Sequence, residues 1–251
     1  MGPLKTEAVV LRSIRYGEAD RILHLYTLDQ GRLSAIAKGS RRPNSRFGGR
    51  LEPFFRLRLD LHQGRSDLLT VTGAQTIAGH PRLRMSAAAL DASTRACDAV
   101  GRLFETSEPH PAVFNLLCRE LALLDAEPAR ATRGHALAFR LKLLVAAGLG
   151  PRLGECVACG RRAELSSFSG AAGGMVCSSC RTGARTGSPA TVGGSFATGP
   201  QAHEFMVAAL SRPLAEAPEA EPAALGQVER AISETLEHHA HVRLMPASAG
   251  R

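Results

Sequence analysis

Hydrophobic and polar positions alternate most clearly over Leu51–Gln63, where Phe55, Leu57, Leu59 and Leu61 share one side and Phe54, Arg56, Arg58, Asp60 and His62 the other. That period of two predicts a strand with one buried face. Shorter runs read the same way: Thr6–Ser13, Ile22–Leu28, Arg32–Lys38 and Asp67–Ala74, with Asp29-Gln30-Gly31 as a tight connection between the second and third. Five short strands within residues 1–80 predict a closed or partly closed barrel of the oligonucleotide-binding (OB) type, an SH3-like barrel being the alternative.

From about Arg84 the period changes to that of a helix. Leu90, Cys97, Gly101, Leu103 and Phe104 form one apolar stripe, and Val113, Leu116, Leu117, Leu121 and Leu124 a second. Leu137, Leu141, Leu144, Val145 and Leu149 form a third, Phe205–Leu210 a short one, and Leu225, Val228, Ile232 and Leu236 a last. The expected architecture is α+β and multidomain. A barrel (1–80) is followed by a helical domain (81–153 with 200–245), into which a cysteine module (154–182) and a flexible linker (183–199) are inserted. Ser166–Pro200, rich in Gly, Ser, Ala and Thr, reads as the way out of that module. No apolar run reaches the 18 residues of a membrane span, and charges interrupt the first 30 residues, so a cytoplasmic protein is expected.

Composition adds a direction. The chain has 251 residues, formal net charge +8, and 31 cations of which 28 are arginine. Residues 1–80 hold thirteen cations against seven acids, whereas residues 186–251 hold four against seven. Lys38, Arg41, Arg42, Arg46 and Arg50 fall within thirteen residues that contain no acid. Gly39, Pro43, Gly48 and Gly49 exclude a long regular element there, so a loop that drapes along phosphates is expected, continued by Arg56 and Arg58 on the next strand. Against this stands the plainer reading of a solvated loop. Tryptophan is absent, and Tyr16, Tyr26, Phe47, Phe54 and Phe55 are the only Tyr or Phe rings of the first eighty residues. Binding would then rest on phosphates more than on base stacking.

Cys156-Val-Ala-Cys159 and Cys177-Ser-Ser-Cys180, seventeen residues apart, have the spacing of a four-thiolate zinc site, with Gly160 suiting the first knuckle. Four protein thiolates leave no position for water, so the zinc would be structural, a redox dithiol, a disulfide pair or an iron–sulfur cluster being the alternatives. Arg152, Arg161, Arg162, Arg181 and Arg185 make this module basic, so that a secondary DNA contact is open to it. Cys97 and Cys118 lie on apolar stripes and read as core residues. His238, His239 and His241 read as helix-end caps rather than ligands. No P-loop, dinucleotide-binding glycine pattern, GxSxG or HExxH occurs.

Taken in order, these parts resemble the RecO family of bacterial recombination mediators. TEAVVLRSIRYGEADRILHLYTLDQGRLSAIAKGSRRPNSRFGGRLEPF, then LAFRLKLLVAAGLGPRLGECVACG, then the CxxC pairs carry the likeness, which covers about residues 1–182. Some family members lack the metal cysteines; this chain keeps all four. The resemblance implies a non-enzymatic protein with an OB-fold barrel that binds single- and double-stranded DNA and anneals complementary strands. It further implies partnership with RecR, with RecF in that pathway, and with the acidic tail of single-strand-binding protein, helping to load RecA. The basic loop of the family corresponds in position to Lys38, Arg41, Arg42, Arg46 and Arg50. A glycosylase-like repair enzyme with a zinc module, and an adaptor that binds only acidic protein tails, are the rival readings.

Overall fold

The computed structural model describes residues 4–64, 68–182 and 192–247, which divide into two compact units, 1–130 and 131–251. In the first, β1 (Leu4–Tyr16), β2 (Asp20–Thr27), β3 (Gly31–Ala37), β4 (Arg56–His62) and β5 (Leu69–Ala78) close into a barrel in the order β1-β2-β3-β5-β4. Every neighbouring pair is antiparallel except β3 with β5, which meet in parallel at Ala35↔Leu69 and Ile36↔Thr70. This is the OB-fold, and the SH3-like alternative falls away. Asp67, expected to open the fifth strand, lies outside the described residues.

Leu57, Leu59 and Leu61 point into the barrel and are fully buried beside Leu23, Leu25 and Val71. The alternation fails upstream of Arg56, which corrects two expectations. Leu51 is drawn into the core rather than starting the strand, and Phe54, expected on the outer face, is buried with a left-handed backbone (φ 73°). The turn is made at Val10 of β1, next to the point where the register with β2 shifts between Val10 and Arg12. There the Val10 carbonyl accepts from the Phe54 amide at 2.8 Å, and the Val10 amide donates to the Phe55 carbonyl at 3.0 Å, so the chain turns before it can extend.

Two helices complete this unit: α1 (Ala87–Leu103), capped by the Ser86 hydroxyl, and α2 (Pro111–Ala126), with proline in its first turn. The buried face of α1 is Ala89, Ser93, Ala96, Cys97, Ala99 and Val100, whereas Leu90, expected on the stripe, is 39% exposed. Small side chains let α1 come close to the barrel: a Cβ on Gly101 would stand 3.4 Å from the Leu11 side chain. Arg32 of β3 donates from its amide to the Thr106 carbonyl and from its guanidinium to the Gly101 carbonyl. Gly31 (φ 62°) packs so tightly on the carbonyls of Thr106 and Glu108 that no Cβ fits. These bonds group α1 and α2 with the barrel, whereas the sequence assigned residues 81–153 to the helical domain.

The second unit is built on α3 (Arg133–Ala146), which packs on α5 (Pro200–Ser211) and α6 (Pro222–His239). Gly134 through Leu141 are all buried, so α3 has no solvent stripe there, although Val145 near its end is exposed. Buried Arg140 donates to the Met245 and Pro246 carbonyls and lies 3.8 Å from Glu229. Between α3 and α5 come β6 (Leu165–Ser169), β7 (Gly174–Cys177), the short α4 (Ser178–Thr182) and β8 (Phe196–Ala197). The expected flexible stretch is therefore partly structured: β6 pairs with β7 and β8, and the Phe168 and Phe196 rings meet at 6.0 Å. Residues 183–191 of the expected linker lie outside the described residues. Among the described residues no helix is long and apolar enough to cross a membrane.

Candidate nucleic-acid interface and metal centre

Residues 38–54 leave β3 and run as successive turns rather than as a helix or strand. Two apolar side chains fasten them: Phe47 and Leu51 are only 2% and 3% exposed and belong to the barrel core. Backbone bonds close the turns, from Arg42 to Gly39, Ser45 to Arg42, Gly48 to Ser45 and Arg50 to Phe47. The loop is tied to the β1–β2 turn as well, since the Arg41 amide donates to the Ala19 carbonyl and the Gly39 amide to the Asp20 carboxylate.

Between these anchors Lys38, Arg41, Arg42, Arg46 and Arg50 all face solvent. Among the described residues none of the five pairs with a carboxylate. Their guanidinium contacts are to neutral groups: Arg41 to the Gly17 carbonyl, Arg46 to the Val71 carbonyl and over the Phe47 ring, Arg50 to the Arg46 carbonyl. Neutral acceptors leave the positive charge uncompensated and open to an anion. Of the nearby acids, Asp20 accepts the Gly39 amide and Glu52 pairs with Arg21 at 2.8 Å, while Glu18 of the β1–β2 turn is exposed and makes no ion pair with the loop among the described residues.

Arg56 and Arg58 are placed differently from the loop. Both approach Glu7 of β1, at 2.6 and 3.5 Å, and the half-buried Arg56 also lies over the Phe114 ring of α2. One carboxylate thus offsets part of their charge. Arg12 and Arg15, which the sequence reading passed over, are exposed on β1 and make no ion pair among the described residues. Arg15 sits opposite Arg21 at the end of the barrel where Arg41 meets Gly17. The signal was the spacing of two arginines at the polar end of a strand.

Rings are scarce on this face. Tyr26, Phe47 and Phe54 are buried and Phe55 packs against the core, so Tyr16, 54% exposed, is the exposed aromatic ring among the described barrel residues. Tyr26 has an unpartnered, buried hydroxyl, and burial pushes its pKa up to about 12.

In the second unit the two CxxC pairs come together. Cys156 and Cys159 lie in a turn, Cys177 ends β7 and Cys180 lies in α4, and the four sulfurs are all within 4.8 Å of one another. Gly160 adopts φ 72°, and its amide donates to the Cys156 carbonyl, which closes the first knuckle. Burial raises the Cys156 thiol, but amide donors from Cys177, Ala158 and Cys159 outweigh it and lower the pKa to about 6. These four residues can hold a metal ion. The module is braced from both sides: Gly174 lies against the Arg152 backbone, and Gly170 against Glu234 and Thr235 of α6. At Cys97 and Cys118 burial prevails, pushing Cys97 up and Cys118 to about 11. Of the histidines, His239 contacts the Gly170 carbonyl at 3.0 Å and stacks edge-on with His238.

An OB-fold barrel followed by helices and a four-cysteine module defines a class of DNA-repair proteins, and the comparisons with known proteins agree on which. The chain belongs to the RecO family: residues 1–80 match the family model for the recombination protein O N terminus, and residues 87–245 that for its C terminus. A DNA repair protein RecO from Anaeromyxobacter sp. (strain K) is 35% identical over 247 residues, covering 97% of this chain and 94% of that protein. RecO from Rubrobacter xylanophilus is 41% identical over 191 residues (73% and 74%), and that from Bifidobacterium adolescentis 41% over 183 residues (70% and 73%).

Proposed function

We propose that the protein is a non-enzymatic recombination mediator that binds single- and double-stranded DNA and anneals complementary strands. The observation that carries this is the loop of five cations without a carboxylate partner among the described residues, fastened to the barrel by Phe47 and Leu51, with Tyr16 the one exposed Tyr or Phe ring among the described barrel residues. Guanidinium groups there grip phosphates in two-point fashion and offset the repulsion between two strands. With few exposed rings, the bases are not held by stacking and keep their pairing edges free.

Family membership supports the remaining partners: RecR, the acidic tail of single-strand-binding protein and, in the same pathway, RecF, with RecA loaded as the outcome. The metal is zinc in this reading. Four sulfurs about 2.3 Å from a tetrahedral ion stand about 3.8 Å apart, and Cys159 Sγ and Cys177 Sγ are 3.8 Å apart. A closed four-thiolate site lends folding energy to its surroundings and leaves no place for a reacting water.

The test is annealing of complementary strands coated with single-strand-binding protein, in the absence of ATP. Acceleration by this protein is expected, and no acceleration rejects the reading. A borohydride trap on damaged DNA addresses the rival enzyme, for which a covalent adduct is required and here none is expected.

A further inference from the structure

The loop on the barrel is not the only cationic surface. In the second unit a cleft of about 400 Å³ is lined by Arg152, Gly154, Glu155 and Arg162, beside the first cysteine knuckle. Arg152 and Arg162 are exposed and, among the described residues, pair with no carboxylate. The module's other acid is already engaged, as Glu164 takes Arg161 at 3.2 Å and accepts from the Ser178 hydroxyl. Gly154 in the lining is exposed and uncrowded, for a Cβ added there would meet nothing within 4 Å.

We propose that this cleft is a second phosphate site, taking the sugar–phosphate backbone of a nucleic acid independently of the barrel loop. Two guanidinium charges face one half-buried carboxylate, Glu155, so the cleft keeps one net positive charge. That balance attracts anions, and a sugar–phosphate backbone, which presents many phosphates to one surface, is held there better than a lone phosphate ion. Arg152 is held by its backbone, its amide bonded to the Gly173 carbonyl and its own carbonyl accepting from Met175. The cleft is thereby built onto the β7 hairpin that carries Cys177, so its shape depends on the cysteine module being folded. One cationic site on each unit would give a DNA-annealing protein a surface for each of two strands. That consequence, though not the site, rests on the function proposed above.

The experiment compares four full-length proteins by the salt dependence of oligothymidylate binding: wild type, R152A/R162A, R41A/R42A/R46A and the combined variant. Loss of a single-strand phosphate contact lowers the slope of log K against log salt by about 0.7. The expected result is a reduction of up to about 1.4 for R152A/R162A in both backgrounds, with bound metal per chain unchanged. Charge-retaining R152K/R162K is expected to keep most of the slope. An unchanged slope in both backgrounds, or a loss seen only when bound metal is lost too, overturns the cleft. Unchanged behaviour of R41A/R42A/R46A alone would instead refute the barrel loop and leave the cleft standing. Inorganic phosphate, one anion where the oligonucleotide offers many, is expected to compete poorly; competition by it as strong as by the oligonucleotide assigns the cleft to free phosphate and overturns the proposal.

Discussion

The Asp20 carboxylate accepts the Gly39 backbone amide at 2.8 Å. This acid at the end of the β1–β2 turn holds the root of the arginine loop through the loop's own backbone and makes no ion pair with its cations among the described residues. D20A is expected to destabilise the barrel by about 1 kcal/mol, read by denaturant unfolding, without weakening DNA binding. A variant that unfolds as wild type does while losing DNA affinity would show that Asp20 acts on the ligand instead.

The loop cations themselves are solvent-facing, so R41A/R42A/R46A should fold normally. Its salt slope on single strands should fall by up to about 2, with the same loss on strands of different sequence. Sequence-dependent loss, or none, would falsify phosphate gripping at this loop.

Because Tyr26, Phe47 and Phe54 are inside and Tyr16 alone stands exposed among the described barrel rings, the bases should matter little. An oligonucleotide with several abasic positions keeps its phosphates, and its affinity is expected to stay within about threefold of the intact strand. Stacking on a platform would instead cost about 1–3 kcal/mol per base, which a direct titration distinguishes.

His80 is buried in the first unit, and burial, with Arg84 and Arg56 nearby, lowers its pKa below 6.5 against the pull of Asp125. His24 is lowered in the same direction, by burial, Arg32 and Arg12. A lowered base stays neutral in the fold while the unfolded chain takes up the proton. Stability is therefore full above pH 6.5 and declines as pH falls below it. H80Q should flatten that decline in urea unfolding followed from pH 7.5 to 5, and an equal decline in the variant would assign it elsewhere.

Removal of metal should act on the second unit. C159S, or a strong chelator, is expected to lower the melting temperature of the full chain and to expose the β6–β7 hairpin to protease, while the barrel's strands stay protected. Retained protection at β6–β7 after verified metal loss would make the ion dispensable for folding.

Much of this was legible in the chain. Leu57, Leu59 and Leu61 alternate because one face of β4 is buried, and the CxxC spacing carries its geometry with it. What escaped depends on partners distant in sequence. Phe54 is turned inward where its amide donates to the Val10 carbonyl, a partner that no local pattern announces. Phe196–Ala197 forms a strand only because Ser167 and Phe168 lie beside it. The stripe in α3 looked one-sided, but Gly134, Ala136 and Ala138 are small enough for neighbours to close over the other side. Arg152 and Arg162 were visible as charge, whereas the cleft between them needed the hairpin to exist.

Phe47 and Leu51 interrupt the run of cations with two side chains seated in the barrel. The arginines are therefore mounted at set points rather than carried on a tether, and little of their freedom remains to be lost when a ligand arrives. Extra residues can be absorbed at Gly48 and Gly49, where nothing crowds the backbone. A change that unseats either hydrophobe would scatter the charges without removing one, so solubility could survive while recognition did not.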